Sequence, residues 1–262
     1  MSLLQVQKFR GKTGDTMTDK NYLHTAYANS ADGTDGFTTV YPNLNLLKNT
    51  KSQSYISTGT STNNSPNLYV LDDVVANIIN KKLTISYDYE ITNVTGTWSG
   101  YIRPTYGLGG VNKPVSNNNS KGSDKQTVTL STMSQTSYGI TTNGLPSGAI
   151  VTIKNLKVEF GSTATPYMPS ATEVTTADWS KYVGTYVDTN PTSSTEPSKY
   201  DWGEMKYRVY LDGVPVGGSK LLSFDLENLT SGTTYNVQVN QTNGNDESDK
   251  SESVAFKTTL TK

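Results

Sequence analysis

The chain has 262 residues, of which 33% are hydrophobic, a formal net charge of −1 and no cysteine. That length holds one large domain or two small ones. The lack of thiols excludes disulfides, thiolate metal sites and thiol catalysis. The near-neutral charge argues against general nucleic-acid binding, and no run of about 18 apolar residues exists to span a membrane.

Thr, Ser, Tyr, Val and Asn dominate, with 22 Gly, and a helical period is found only around Leu71–Asn80. The fold class read from this is all-β. Charge divides unevenly. Residues 1–170 hold 14 Lys+Arg against 10 Asp+Glu, whereas residues 171–262 hold 8 against 13, so the two parts read as separate units.

Met1–Asn21 is polar, contains Gly11 and Gly14 and lacks the apolar core of a signal peptide. Residues 1–36 read as an attachment arm and lead-in. Within them Ala28–Gly36 is turn chemistry, and Phe37–Tyr41 begins a strand. Asp32 and Asp35 here, and Asp72 and Asp73 later, offer clustered oxygens of the kind a structural Ca²⁺ takes, although turn propensity and a solvated loop explain them as well. No other cofactor is expected. His24 is the sole histidine, so it reads as a packing or surface residue.

The segment 83–106 carries the densest chemistry. Read as a hairpin with Asn93–Gly96 as its loop, Thr92 opposes Thr97. Asp88 then faces Tyr101, Ser86 faces Arg103 and Glu90 faces Ser99. Tyr87, Tyr89, Ile91, Trp98 and Ile102 fall on the other, apolar face. The polar face suits a sugar. An aromatic ring takes the C–H face of a pyranose, while carboxylate, guanidinium and hydroxyl groups pair with its hydroxyls. It reads equally as a solvated sheet surface with cross-strand ion pairs. The expected saccharide residues are Ser86, Asp88, Glu90, Ser99, Tyr101 and Arg103, with Trp98, Tyr106 and Tyr138 as alternates and Tyr55 and Tyr69 as rim candidates. In this register Trp98 belongs to the core. Asp88 and Glu90 raise glycoside hydrolysis, but two carboxylates on one strand stand on one side of a substrate rather than flank it. With no Gly-x-Ser-x-Gly elbow either, the reading is not an enzyme.

Further strands are expected at Gln126–Ser131, Tyr138–Thr142 and Ile150–Phe160, a spacing that suits a jelly roll. In the last of these the step from Ile153 to Leu156 is three residues where a strand needs two, which predicts a bulge at Asn155, followed by a Gly161 exit. Residues 171–202 form a Thr/Ser/Pro-rich connector. In 203–262, Asp212-Gly213 predicts a two-residue hairpin turn, with Leu211 facing Val214 and Val209 facing Val216.

Several motifs resemble known families. Ala26–Leu47, and Lys157, Glu159, Gly161 with Ala164-Thr165-Pro166-Tyr167, resemble jelly-roll carbohydrate-binding modules in tail proteins of phages of lactococci and related Gram-positive bacteria. Tyr182-x-Gly-x-Tyr186-x-Asp188 with Ser194-x-x-Pro197-x-x-Tyr200-x-Trp202 resembles a connecting module of phage tail fibres and baseplates. Leu229-x-x-Gly232-x-x-Tyr235 is similar to the tyrosine corner of fibronectin type III domains, whose first two strands and core Trp are lacking here; the connector, with Trp179 or Trp202, is the expected substitute.

The resemblance implies four segments: an arm (1–36), a jelly-roll carbohydrate-binding module (37–170), a connector (171–202) and a partial fibronectin type III-like sandwich (203–262). It implies a baseplate or tail-tip accessory protein of the virion, made in the host cytoplasm without a signal peptide. The implied partners are host cell-wall polysaccharide or another surface glycan, and other baseplate or tail proteins. Nucleic acid binding and membrane insertion are not expected. The alternatives are a purely structural docking module and a cell-wall glycosidase.

Overall fold

A computed structural model describes residues 21–75, 77–133 and 137–259. Residues 1–20 of the expected arm lie outside the described residues; the rest of it, 21–36, is not a free lead-in but contains a strand built into a sheet. Strands β1 (Tyr22–Ala28) and β2 (Phe37–Thr38) come first. They are followed by β3 (Leu47–Lys48), β4 (Ser52–Ile56), β5 (Asn63–Asn64), β6 (Tyr69–Leu71), β7 (Lys82–Thr92), β8 (Ser99–Tyr106), β9 (Lys113–Ser116), β10 (Lys121–Thr129), β11 (Ser137–Asn143) and β12 (Ile150–Phe160). The chain ends with β13 (Tyr182–Asp188), β14 (Asp201–Glu204), β15 (Tyr207–Leu211), β16 (Val214–Ser219), β17 (Thr234–Asn243), β18 (Asp246–Glu247) and β19 (Val254–Lys257). Helix is confined to two short 3₁₀ turns among the described residues, Thr176–Asp178 and Pro197–Lys199.

Two compact units result. Residues 42–174 form one; residues up to Tyr41 together with those from Thr175 onward form the other. The first is therefore inserted into the second, between β2 and β13.

The inserted unit is a sandwich of two antiparallel sheets, β10-β7-β12-β4 and β3-β6-β11-β8-β9. Taking β4, β6 and β7 to β12 as eight strands in order, the first, third, sixth and eighth share one sheet and the other four share the second. That interleaving is the jelly roll. It overturns the hairpin expected at 83–106. β7 pairs with β10 and β12, while β8 pairs with β9 and β11. The reason lies in the loop between them. The Asn93 amide donates to the Gly148 carbonyl (2.8 Å), Asn117 Oδ1 accepts from the Trp98 N–H (2.7 Å) and the Asn117 amide donates to the Gly96 carbonyl (2.7 Å). These bonds fasten the loop to its neighbours at that end of the sandwich, so the chain changes sheets there.

The face division survives the changed pairing. Ile85, Tyr87, Tyr89 and Ile91 of one sheet meet Ile102, Val115, Tyr138 and Ile140 of the other in a single core, which also holds Trp98. Each fully buried Ile or Leu contributes about 1.5–3 kcal/mol by leaving water. The expected bulge in β12 is present. Pairing with β7 shifts between Lys154 and Lys157, and Asn155 takes φ 51°, a left-handed value that Asn tolerates better than most residues. Asn45 secures this region: its amide donates to the Leu156 carbonyl (2.7 Å), and its oxygen accepts from the N–H groups of Leu47 (3.1 Å) and Val158 (2.9 Å).

The split unit contains two sheets. In the first, β14-β13-β1-β2, β1 pairs with β13 over its whole length, from Tyr22↔Asp188 to Ala28↔Tyr182. The connector thus supplies a central strand. On this sheet His24 stacks on Tyr186 (4.6 Å), Tyr186 meets Tyr200 edge-on (4.8 Å), and Phe37 meets Trp202 (5.6 Å). Gly184 is needed for that packing, because a Cβ there would sit 2.8 Å from both the Trp202 ring and Tyr200. Trp179 belongs to a different cluster. It stacks on Tyr41 (5.8 Å) and lies under the Arg208 guanidinium (4.5 Å).

The second sheet is β16-β15-β17-β18, with β19 also on β17. Asp212 (φ 49°) and Gly213 (φ 83°) close the expected hairpin, and Leu211 faces Val214. Val209, however, faces Gly217 rather than Val216, because a bulge intervenes between Val209 and Tyr210. The Thr230 N–H donates to the Tyr235 hydroxyl (2.9 Å), as in a tyrosine corner.

This architecture makes a test possible. Replacing residues 42–174 by a short Gly/Ser linker between Tyr41 and Thr175 should leave a β-rich protein that melts cooperatively. A deletion protein without a cooperative transition in circular dichroism would show that the split unit depends on the insert.

Candidate functional site

The structure separates the expected site residues into two groups. Ser86, Asp88 and Glu90 project from β7 on the outer face of one sheet, half-buried and alternating with core residues. Ser99, Tyr101 and Arg103 project from β8 on the outer face of the other sheet, on the opposite side of the sandwich. Of the alternates, Trp98 is buried in the core, Tyr138 and Tyr69 are fully buried and Tyr106 is exposed. Tyr55 packs, partly buried, against the core.

On the β10-β7-β12-β4 face the pairing sets out polar rows. Lys121, Glu90, Thr152 and Ser54 form one row. Ser123, Asp88 and Lys154 form the next, and Lys125, Ser86 and Lys157 the third. Asp88 is held from both sides: Ser123 Oγ donates to one oxygen (2.6 Å) and the Asn155 amide to the other (2.9 Å). The bulge is what turns the Asn155 amide towards Asp88. Glu90 lies between Lys121 (3.6 Å) and Lys154 (3.4 Å), whose charges hold its carboxyl below the usual carboxylate range.

The exit segment after β12 folds back as a strap over this face. Beneath it lie Lys157 and Glu159, neither with any exposed surface and 3.6 Å apart. Thr165 joins them. Its hydroxyl accepts from Lys157 Nζ (2.5 Å) and donates to Glu159 Oε2 (2.7 Å), and its N–H donates to Glu159 Oε1 (2.8 Å). Lys157 also donates to the Pro166 carbonyl (2.6 Å), and Asn43 donates to Glu159 (3.0 Å). Burial pushes Lys157 down to about 8, with Glu159 pulling the other way.

Strap and sheet together border an open depression of about 530 Å³ lined by Ser86, Asp88, Ser123, Lys125, Asn155 and Tyr167. Tyr167 is half-buried, with its hydroxyl 3.2 Å from Thr50 Oγ1. Ser123, Lys125 and Asn155 were not expected at a site. The bulge was a signal for Asn155, and the motif ending in Tyr167 was a signal for the aromatic wall.

The opposite face is flatter. The Arg103 guanidinium donates twice to Asn112 Oδ1 (3.0 and 2.8 Å), and Tyr101 lies between Pro114 and Asn143.

The carboxylates weighed for calcium are engaged locally. Asp32 accepts from Thr34 (N–H 3.1 Å, Oγ1 2.7 Å), Asp35 from Ser30 Oγ (2.6 Å), Asp72 from Thr172 (N–H 3.0 Å) and Asp73 from Lys48 (2.9 Å). No group of three or more His, Cys, Asp or Glu is gathered among the described residues. His24 is buried, its ring bonded to the Asn190 carbonyl (2.8 Å) and Ser193 (3.0 Å).

The chain is similar to known proteins in both its family pattern and its structure. A family model described as the C-terminal domain of minor structural protein 5-like (BppU-like) proteins covers residues 180–238. A chain in the structure of the tripod (BppUct-A-L) from the baseplate of bacteriophage Tuc2009 is 46% identical, with 94% of this chain and 100% of that chain covered and a TM-score of 0.73. No curated protein matches.

Lys157→Met should cost about 3–5 kcal/mol, because it leaves Glu159 charged and buried without a cation. The pH dependence has a definite sign. A lysine pKa of about 8 in the folded state, against 10.5 when free, means that the unfolded chain binds more protons between those values. The contribution of Lys157 to stability therefore rises with pH across that window and is lowest below it. Denaturant titrations should show that rise in the parent and not in Lys157→Met; parallel profiles would contradict it.

Proposed function

The chain belongs to the family of phage baseplate proteins represented in the Tuc2009 tripod, and from that premise we propose that it is a virion accessory protein gripping host cell-wall saccharide through the inserted jelly roll. The observation that carries this reading is the depression between strap and sheet. Its volume falls within the about 300–1,000 Å³ of small-molecule sites. Tyr167 offers a wall on which the C–H face of a pyranose can stack. Asp88, fixed by Ser123 and Asn155, retains acceptor capacity for sugar hydroxyls, and Ser86 and Lys125 add a hydroxyl and three donors. A carboxylate with both oxygens already positioned binds with little loss of side-chain freedom. Single-site affinity of such a shallow depression is weak, and several copies on one virion would turn it into firm adsorption.

The glycosidase reading draws no support from the geometry. Asp88 and Glu90 stand on one strand, and Glu90 is kept ionised between two lysines, whereas hydrolysis needs a proton-donating carboxyl across the bond from its partner.

The test is decoration of host cells by fluorescently tagged protein, with purified cell-wall polysaccharide as competitor. Asp88→Asn, Lys125→Ala and Tyr167→Ala should each reduce decoration at least tenfold. Lys125→Ala should leave the melting curve within a degree or two, because exposed polar sheet positions contribute about 0.5 kcal/mol or less, whereas Asp88→Asn should lower the melting temperature by a few degrees, because it takes the charge from two hydrogen bonds. Parental decoration by all three, with loss in Tyr101→Ala and Arg103→Ala, would move the site to the opposite face.

A further inference from the structure

The chain contains two Asn-Gly pairs, Asn143-Gly144 and Asn243-Gly244. Asparagine is chemically labile, most of all before glycine, whose lack of a side chain leaves the backbone nitrogen free to approach the amide carbon. The fold treats the two pairs differently. In the inserted unit the Asn143 amide donates to Thr62 Oγ1 (2.9 Å), and the Gly144 N–H donates to the Thr60 carbonyl (2.8 Å). Gly144 is also walled in, since a Cβ there would lie 2.4 Å from the Ser99 carbonyl oxygen. Neither reacting group can turn towards the other. In the split unit, Asn243 ends β17, and Gly244 (φ 59°) opens the two-residue turn to β18. Both residues are exposed and the space around Gly244 is open. Among the described residues, none makes a hydrogen bond to the Asn243 side chain or to the Gly244 N–H.

A buried charge depends on that turn. β18 is held to β17 by the pairs Thr242↔Glu247 and Asn243↔Asp246, and it carries Glu247 to Arg208. The Arg208 side chain is buried, donates to Glu247 Oε1 and to the Tyr41 hydroxyl (3.0 Å), and lies 4.5 Å over the Trp179 ring. Glu247 Oε2 accepts from the Asn240 amide (2.7 Å). We propose that Asn243 is a site of spontaneous covalent modification, and that its conversion unfastens Glu247 from Arg208. The Gly244 backbone nitrogen attacks Asn243 Cγ and passes its proton, through solvent, to the departing group. The Cγ–Nδ2 bond breaks and ammonia leaves. Water then opens the resulting five-membered imide. Opening at the side-chain carbonyl gives aspartate; opening at the main-chain carbonyl gives isoaspartate. Aspartate at 243 stands directly across from Asp246, a like-charge pair that disfavours the hairpin. Isoaspartate lengthens the backbone by one methylene, which shifts the register of a strand held by two pairs only. By either route Arg208 stays buried while its carboxylate is withdrawn, the costly way to break such a pair.

The experiment incubates the purified full chain in warm, mildly alkaline buffer, with and without denaturant. Peptides are followed by mass spectrometry with electron-transfer fragmentation, which separates aspartate from isoaspartate. In the folded protein, the peptide holding Asn243 should convert at least tenfold faster than the peptide holding Asn143. In denaturant the two rates should converge, because the protection of Asn143 is structural. The aged form carries one more negative charge and can be separated by ion exchange; it should melt several degrees below the fresh protein. Asn243→Gln should keep its melting temperature on ageing. Glu247→Gln should melt low from the start and lose no more as Asn243 converts, since the two changes act on one contact. Equal rates at the two sites in the folded protein, or an intact Asn243 beside a converting Asn143, would overturn the site. An aged form that melts like the fresh protein, or ageing that lowers Glu247→Gln as much as the parent, would overturn the link to Arg208.

Discussion

Lys157 and Glu159 sit two residues apart on an outer sheet face and yet are shielded completely from water. Burying two charges costs several kcal/mol each unless geometry and hydrogen bonds compensate. The compensation comes from outside the strand. Thr165 accepts from the lysine and donates to the carboxylate through one hydroxyl, and its own N–H donates to the carboxylate as well. The exit segment is therefore compelled to cross back over the sheet. If it lifted off, a bare ion pair would be left facing the gap. This one constraint explains why the motif Ala164-Thr165-Pro166-Tyr167 has a threonine at its centre, and why an aromatic ring arrives where it does.

Consequences spread in both directions along β12. Towards the C-terminus, the strap carries Tyr167 to the rim of the depression. Towards the N-terminus, the bulge at Asn155 turns its amide onto Asp88, and Asn45 bonds to the Leu156 carbonyl and the Val158 N–H that follow it. The polar rows on the outer face are thus held by groups that are already satisfied, while the hydrophobic work of the unit is confined to the layer between the sheets. A rigid polar face on a jelly roll is a suitable platform for weak, repeated contacts with a polymer. The insertion point follows similar logic. Pairing of β1 with β13 and stacking of Tyr41 on Trp179 hold the chain where it leaves and rejoins the split unit.

What was legible in the sequence was local. The extra residue in the step from 153 to 156 announced the bulge, Asp212-Gly213 announced its turn, and alternation in 83–103 assigned Tyr87, Tyr89, Ile91, Trp98 and Ile102 to the core. What was illegible was pairing over distance. Two alternating segments joined by Asn-Val-Thr-Gly look like a hairpin, but in a jelly roll such neighbours change sheets. The facing of Asp88 with Tyr101 therefore dissolved, although each residue stands on an outward face. Ser123 and Lys125 had no local signal, since their place beside Asp88 and Ser86 arises only when β10 returns to β7. The partnership of residues 22–28 with 182–188 is likewise set by contacts on either side of a whole inserted unit.

The central claim is that the buried Lys157–Thr165–Glu159 linkage shapes the depression proposed to bind saccharide. Thr165→Val tests it most directly, because it keeps the side-chain shape, removes the hydroxyl that links the two charges and leaves every side chain lining the depression unaltered. Affinity for purified host cell-wall polysaccharide would be measured by titration calorimetry on a variant confirmed to be folded. Affinity reduced at least tenfold is the predicted result, and parental affinity in a folded Thr165→Val would contradict the account.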